Sequence, residues 1–472
     1  MQPSTPRPSA MSAASMTDAF ASGDLTPVDV LEDVLEVARE AGEQFNAIAF
    51  MDEDAARGAA AESAARWAAG EQRGPLDGVP VSIKDSIPAA GTPWRHGSAV
   101  HEPIWATEDS APAARLRDAG AVIFAKTAMP DLGMVASGLS SAYGTVRNPW
   151  NPEMSPGGSS SGAGVLVASG VGPLAVGTDL GGSVRIPAAH HGLFGFKPTQ
   201  GRIPYAPASA VRTPGPLARS IDDMELLLAA LAISDPSDLL ALPGRYEPGA
   251  ALESFTGLRV AVVRDAGSGM PTGDEEWAAV ERLAGVMSDA GAELETMPDL
   301  GLVPEDQDAI LATFRNRVLV EMDGAPLERW GRLIPELWEF VKPGYDLSAL
   351  ALGTAMARLD RAREQVRRAT AGFDLILTPA LSVAAFPAEL AAPEGARSTI
   401  DHCQLTAWFN QTGQPAGVVP GGLTSAGMPI GVQLAGQRLD DARVVAAMRL
   451  ASQLAGTSLD YPLLESHVTG AE

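Results

Sequence analysis

Cysteine is all but missing from the 472-residue chain: Cys403 stands alone. A single thiol excludes an intramolecular disulfide and any metal site built from several cysteines, and it suits a reducing cytoplasm. Lysine is nearly as scarce, confined to Lys84, Lys126, Lys197 and Lys342. Basic residues are outnumbered 58 to 34, for a net charge of −24. A chain this acidic repels a phosphate backbone, so nucleic acid is not an expected partner. Long apolar runs are lacking too. The most apolar stretch, 165–176, is broken by Ser169, Gly170, Gly172 and Pro173. It falls short of the roughly 20 residues that span a bilayer, and no membrane association is expected. The opening MQPSTPRPSAMSAASM has no apolar signal region, and residues 1–12 read as a disordered tail.

What is present argues for a folded α/β chain. Hydrophobic residues make up 46% and charged residues 19%, ample for a core, while 49 glycines and 37 prolines exceed ordinary usage. That excess points to turns and backbone-built features and away from a helical bundle or coiled coil. Thr26-Pro27 is placed to open a helix, and the alanine-rich stretch 55–70 reads as a helix ending on Gly70. Val79, Val81 and Ile83 alternate as in a strand, 112–119 reads as a helix, 121–126 as a buried strand, and 162–168 as a helix packed through small residues. Strands at 258–263, near Leu294, at 373–377 and at 430–434, with a helix over 275–290, continue this grammar. No linker or composition shift divides the chain, so a single domain over 13–472 is expected, with a mostly helical segment at about 300–370 that shapes the substrate site.

Three segments carry candidate chemistry. GVPVSIKDSI puts Lys84 at the end of an apolar strand, where desolvation disfavours the charged amine and makes it a base; the alternative is a snorkelling surface lysine paired with Asp85. SPGGSSSGAG, residues 155–164, sets two glycines before three serines. Its Gly158, Ser160 and Gly162 match the GxSxG elbow with Ser160 as nucleophile. An elbow needs a buried strand before it, however, and Pro149, Pro152 and Pro156 preclude one; a flexible connection is the plain alternative. GTDLGGSVRIP, residues 177–187, has paired glycines before Ser183. Consecutive amides there can converge on one point, as an oxyanion hole requires; the alternative is a glycine turn with Asp179 and Arg185 paired across it.

Lys84, Ser159 and Ser183 follow in order, 75 and then 24 residues apart. That order and spacing resemble the amidase signature family of serine hydrolases. The resemblance is carried by GVPVSIKDSI, SAYGTVRNPWNP, PGGSSSGAG, GTDLGGSVRIPAAHHGLFGFKPTQGRIP and TPGPLARSIDD, then by FDLILTPA and QTGQPAGVVPGG through GMPIGVQLAG. It implies an α/β/α fold, a large mixed β-sheet with helices on both faces. It further implies Lys84 as general base, Ser159 as a bridging serine held by a cis peptide after Gly158, and Ser183 as nucleophile. The backbone amides of Leu180, Gly181, Gly182 and Ser183 would form the oxyanion hole, with Gly158, Ser160, Asp179 and Arg185 supporting the loops. No metal or cofactor is implied. Ser86, Ala128, Asp131 and Ser161 depart from residues common in that family and bear on the pocket entrance.

The implied activity is hydrolysis of a carboxamide C–N bond through a seryl acyl-enzyme, by a monomer or homodimer acting on a small molecule. Trp94, Trp105, Met129, Leu132, Trp330 and Trp338 are candidates for an apolar pocket wall, which favours an alkyl or aryl amide over a charged one. A carbamate or urethane carbonyl asks for the same attack. His190 and His191 fall in a segment that packs behind the loop in that family, and His96, His101, His402 and His467 are read as surface or structural. Two rivals stand beside this reading. One is the A subunit of a tRNA-dependent amidotransferase, disfavoured by the acidic charge and by TPGPLARS. The other is a catalytically silent binding scaffold, disfavoured by the intact Lys84, Ser159 and Ser183.

Overall fold

The computed structural model describes residues 7–464; His467 and the first six residues of the expected tail lie outside that range. The rest of that tail is not disordered. Arg7 forms an ion pair with Asp33 at 2.6 Å, Ser9 is buried, and Pro8–Ala10 makes a 3-10 turn. Composition registers the polarity of this stretch but not the carboxylate 26 residues further on that takes the guanidinium through both Nε and Nη2.

Helices α1 (Ala13–Ser22) and α2 (Pro27–Phe45) come next. The start of α2 is the one the Thr26-Pro27 pair predicts. The Thr26 hydroxyl accepts from the Asp29 amide, the Asp29 carboxylate accepts from the Thr26 amide, and Pro27 fills the first turn. Strand β1 (Ile48–Met51) and helix α3 (Glu53–Ala69), capped by left-handed Gly70, lead to β2 (Pro80–Lys84). Then come α4 (Ala111–Asp118), β3 (Val122–Thr127), α5 (Ser161–Ala168) and β4 (Leu174–Asp179). They are followed by α6 (Arg185–His191), β5 (Phe194–Lys197), β6 (Thr213–Ala218) and α7 (Ile221–Leu231). The second half holds β7 (Arg259–Val263), α8 (Asp274–Asp289), β8 (Glu293–Met297), and the helices α9 (Pro304–Asp323), α10 (Pro335–Val341) and α11 (Ala349–Thr370). It closes with β9 (Leu375–Pro379), α12 (Gln404–Gln411), β10 (Ala416–Leu423), β11 (Pro429–Gly436) and α13 (Asp441–Ala455).

These strands form one 11-stranded mixed sheet in the order β1-β3-β2-β4-β6-β5-β10-β11-β9-β7-β8, with helices around it. Pairing is parallel across β3-β2-β4 and β9-β7-β8 and antiparallel elsewhere. Both β2 and β4 are buried along their whole length, as strands covered on two faces are. They run parallel with Ile83 opposite Val176, so Lys84 and Thr178 arrive at the same edge of the sheet. The carboxyl ends of parallel strands are where α/β sheets bind their ligands. Helix α5, buried at every position, packs through its small residues. A Cβ on Gly162 would lie 2.1 Å from the Ala47 carbonyl oxygen, so only glycine permits that approach. Helices α9 and α11 share an apolar cluster that includes Phe314, Leu359 and Trp408. Among the described residues no helix is long and apolar enough to cross a membrane.

Candidate active site

Lys84 ends β2 with 1% exposure, and its Nζ donates to the Ser159 hydroxyl at 2.7 Å. Thr178, from the neighbouring strand, offers its hydroxyl at 3.2 Å and its carbonyl at 3.4 Å. Asp85 is not the partner: it accepts from the amides of Arg95 and Gly97 and from the Tyr143 hydroxyl. The snorkelling alternative is thereby excluded. Burial pulls the Lys84 pKa down to about 7, against the opposing charges of Asp179 and Asp85. A buried amine with only neutral partners is the expected state of a base. Ser159 follows a cis Gly158–Ser159 peptide. The Ser160 amide donates to the Ser183 carbonyl at 3.1 Å, which ties the serine loop to the glycine loop. Ser159 and Ser183 line one cavity, without a hydrogen bond between their hydroxyls. Proton-transfer contacts of this kind commonly tighten only once substrate is bound.

Ser183 sits in the turn between β4 and α6, and Asp179 builds that turn. Its carboxylate accepts from the Gly182 amide at 2.7 Å and the Val184 amide at 3.2 Å. Arg185 matches its charge through Nε at 3.0 Å and Nη2 at 2.9 Å, and both side chains are 0% exposed. The remaining guanidinium donors reach Gln433 and Asn410, each at 2.6 Å. Burial alone would raise the Asp179 pKa; the charge and hydrogen bonds of Arg185 override it and hold the group at about 2. Asp179→Ala leaves a buried guanidinium without its counter-charge. A loss of about 3–5 kcal/mol is expected on thermal unfolding, and an unchanged midpoint would show that the pair does not hold the fold.

The same bonds correct one expectation. The Gly182 amide is engaged by Asp179 and is not a free donor for an oxyanion. The amides of Leu180, Gly181 and Ser183 find no acceptor among the described residues. Gly182 matters for its shape instead: its φ is +127° and a Cβ there would lie 2.4 Å from the Thr406 hydroxyl.

Lys84, Ser159, Thr178 and Ser183 line a cavity of about 30 Å³, together with Met129 and Leu132 as expected, and with Ser86. Leu180, Gly181 and Ser183 also line an apolar recess of about 20 Å³ walled by Met134, Val135, Ile186, Phe314 and Cys403. A third space of about 210 Å³ opens past Leu180 and Phe314 along α9 and α11. The four tryptophans named as pocket candidates line none of these. Trp94 packs on His96, 4.8 Å between ring centroids, and Trp105 is 59% exposed with its edge on Phe50. Trp330 and Trp338 pack against Tyr345 at 5.9 and 6.2 Å. Trp105, Trp330 and Trp338 pack on aromatic rings that line none of these spaces, as large rings do when another aromatic is at hand, while Trp94 packs on a residue of the cavity wall without reaching the cavity itself.

Histidine is redistributed as well. His96, read as surface or structural, lines the Lys84 cavity and pairs through Nδ1 with Glu321 of α9. His190 and His402 stand behind the loops on either side of Phe386, and burial holds them neutral, with pKa values of about 4 and about 3. Arg212 and Arg317 also face the cavity. Sequence reasoning missed Thr178, although it lies inside GTDLGGSVRIP. It also missed His96, Arg212, Arg317 and Glu321, which no local motif marks.

A mixed sheet that delivers a buried amine and two serine-bearing loops to one edge defines a hydrolase architecture, and known proteins agree. The Amidase family model matches residues 29–445, and the chain belongs to this family of amide C–N hydrolases. The Mycobacterium tuberculosis protein named "Putative amidase AmiB2" is 34% identical over 466 residues, covering 94% of this chain and 95% of that protein. The A subunit of glutamyl-tRNA(Gln) amidotransferase from Deinococcus radiodurans is 33% identical over 489 residues, covering 95% and 98%. A crystal structure of a bacterial aryl acylamidase of the amidase signature family superimposes with a TM-score of 0.86 at 25% identity, over 95% of this chain and 99% of that one.

Proposed function

We propose that the protein hydrolyses small carboxamides through a seryl acyl-enzyme, with Ser183 as nucleophile, Ser159 as relay and Lys84 as base. The observation that carries this reading is the buried Lys84 amine, with no carboxylate in ion-pair range among the described residues and 2.7 Å from the Ser159 hydroxyl. Neutral Lys84 takes the Ser159 proton as Ser159 takes that of Ser183, and the Ser183 oxygen attacks the carbonyl carbon. Charge that develops on the carbonyl oxygen is met by the free amides of Leu180, Gly181 and Ser183. One such donor is worth roughly 3–4 kcal/mol in other acyl-transfer enzymes. Ser159 returns a proton to the departing nitrogen, and water activated by the same relay attacks the ester, releasing the acid and restoring Ser183.

The recess walled by Met134, Val135, Ile186 and Phe314, about 20 Å³, supports a small alkyl group on one side of the scissile bond. The structural likeness to an aryl acylamidase supports the aryl case, and carbamates and urethanes belong to the same proposal because their carbonyl needs the same attack and the same hole. The enzyme is proposed to work in the cytoplasm as a monomer or homodimer.

The likeness to an amidotransferase component favours a second reading, in which this chain works within a complex. Hydrolysis of a plain anilide by the isolated chain, with fluorophosphonate labelling of Ser183, separates the two. Turnover only in the presence of partner proteins would favour the complex, and an unlabelled, inactive chain would favour a silent scaffold. Because the relay uses only side-chain and backbone groups, activity is expected to be unchanged by EDTA. Inactivation by the chelator, reversed by added metal, would overturn that mechanism.

A further inference from the structure

In a chain whose acidic residues exceed its basic ones by 24, two guanidiniums face the Lys84 cavity with no carboxylate in ion-pair range among the described residues. Arg317, on α9, makes no hydrogen bond to any described residue, and its Nε is buried without a partner. The Arg212 guanidinium lies over the Tyr205 ring at 4.5 Å, donates among the described residues only to the Pro207 carbonyl at 3.2 Å, and likewise leaves Nε buried and unpaired. The one carboxylate lining the same cavity, Glu321, is engaged by His96. In the adjoining 210 Å³ space Asp360 is matched by Arg363 at 2.8 Å. Arg317 lines both spaces and so stands at their junction. Burial, and then the nearby charge of Arg212, disfavours its protonated form, with the Glu321 carboxylate opposing them from beyond ion-pair range. Two like charges held together in a partly dry site are costly unless an anion joins them, and the guanidinium fork fits a carboxylate through two parallel hydrogen bonds.

We propose that Arg212 and Arg317 are specificity-determining residues that bind a free carboxylate on the substrate, so that the preferred substrate is an amide with an anionic group at one end. The apolar recess takes the other end. This deepens the acyl-transfer reading above and rests on it. It also departs from the expectation of an uncharged substrate, which leaned on Met129 and Leu132, both in the cavity wall, and on four tryptophans that are not.

The test compares acetanilide with 3- and 4-acetamidobenzoate as substrates of the full-length protein. At least one carboxylated isomer should exceed acetanilide by about tenfold or more in kcat/KM, mostly through KM. Raising NaCl should increase KM for the benzoates alone. R317Q and R212Q should each lower the preference by about tenfold, with R317K in between, since it keeps the charge and loses the fork. Acetanilide equal to or better than both benzoates, with the ratio unmoved in R317Q, would overturn the proposal. Should the variants fail to fold, benzoate is expected to slow fluorophosphonate labelling of the wild-type protein more than its neutral isostere nitrobenzene does, and equal slowing would overturn it too. Labelling of Ser183 tests the acyl-transfer reading separately. A labelled enzyme indifferent to the carboxylate defeats only the arginine proposal, whereas turnover surviving in S183A defeats the nucleophile while the selectivity ratio still reports on the arginines.

Discussion

Alanine at position 183 is expected to remove amide turnover by a factor of about 10⁴ or more, the scale on which nucleophile loss acts in other serine hydrolases. The two adjacent serines of the other loop are engaged elsewhere. Ser159 is held by Lys84, and Ser160 turns to the Thr178 carbonyl at 3.4 Å. The Ser183 hydroxyl makes no hydrogen bond among the described residues, so the variant should unfold within about 0.5 kcal/mol of the wild type. Rates on an anilide, read beside thermal unfolding and fluorophosphonate labelling, check this. Substantial turnover in a folded S183A protein would move the nucleophile elsewhere, with Ser159 the next hydroxyl to examine.

Lys84→Met should lower kcat by about 10²–10⁴, the range over which a positioned proton acceptor acts, and Ser159→Ala should lose much of the activity because it cuts the path from amine to nucleophile. The wild-type pH profile carries the same information without mutation. In the proposed mechanism the base is the neutral amine, and burial draws its pKa down to about 7, so the active fraction is expected to be small below pH 7. The kcat/KM should therefore rise through neutrality and level off in the alkaline range. The sign follows from burial, which penalises the charged form and draws the proton off the amine earlier than in water. An acid optimum, or a profile unchanged in Lys84→Met, would mean that the amine is not the base.

How much of the molecule is legible in its sequence differs residue by residue. The helix start at Thr26-Pro27, the strand ending on Lys84 and the helix of small residues after Ser160 follow from capping, alternation and side-chain size within a few positions. The roles proposed for Lys84, Ser159 and Ser183 come from the order and spacing of three short motifs that resemble a known family; local reading alone marked Lys84 and Ser183 and pointed to Ser160 instead of Ser159. Other elements are not readable in this way. Strand β4 reads as an interrupted apolar run and a turn, because its identity depends on β2 and β6 lying against it. Asp179 is six residues from Arg185, but the other two partners of that guanidinium, Asn410 and Gln433, stand 225 and 248 residues away, and Glu321 stands 225 residues from His96.

Sequence was therefore enough for the class of reaction and for the three side chains proposed to perform it, because the order and spacing of short motifs resemble those of a known family; local propensity alone left each segment with a plainer alternative. Folding alone settled the shape and charge of the substrate space. The removal of four tryptophans from its wall, the commitment of the Gly182 amide to Asp179, and the arrival of Arg212 and Arg317 beside the amine all depend on strand order and helix packing. Contacts between residues hundreds of positions apart leave no periodicity or composition for a linear reading to detect.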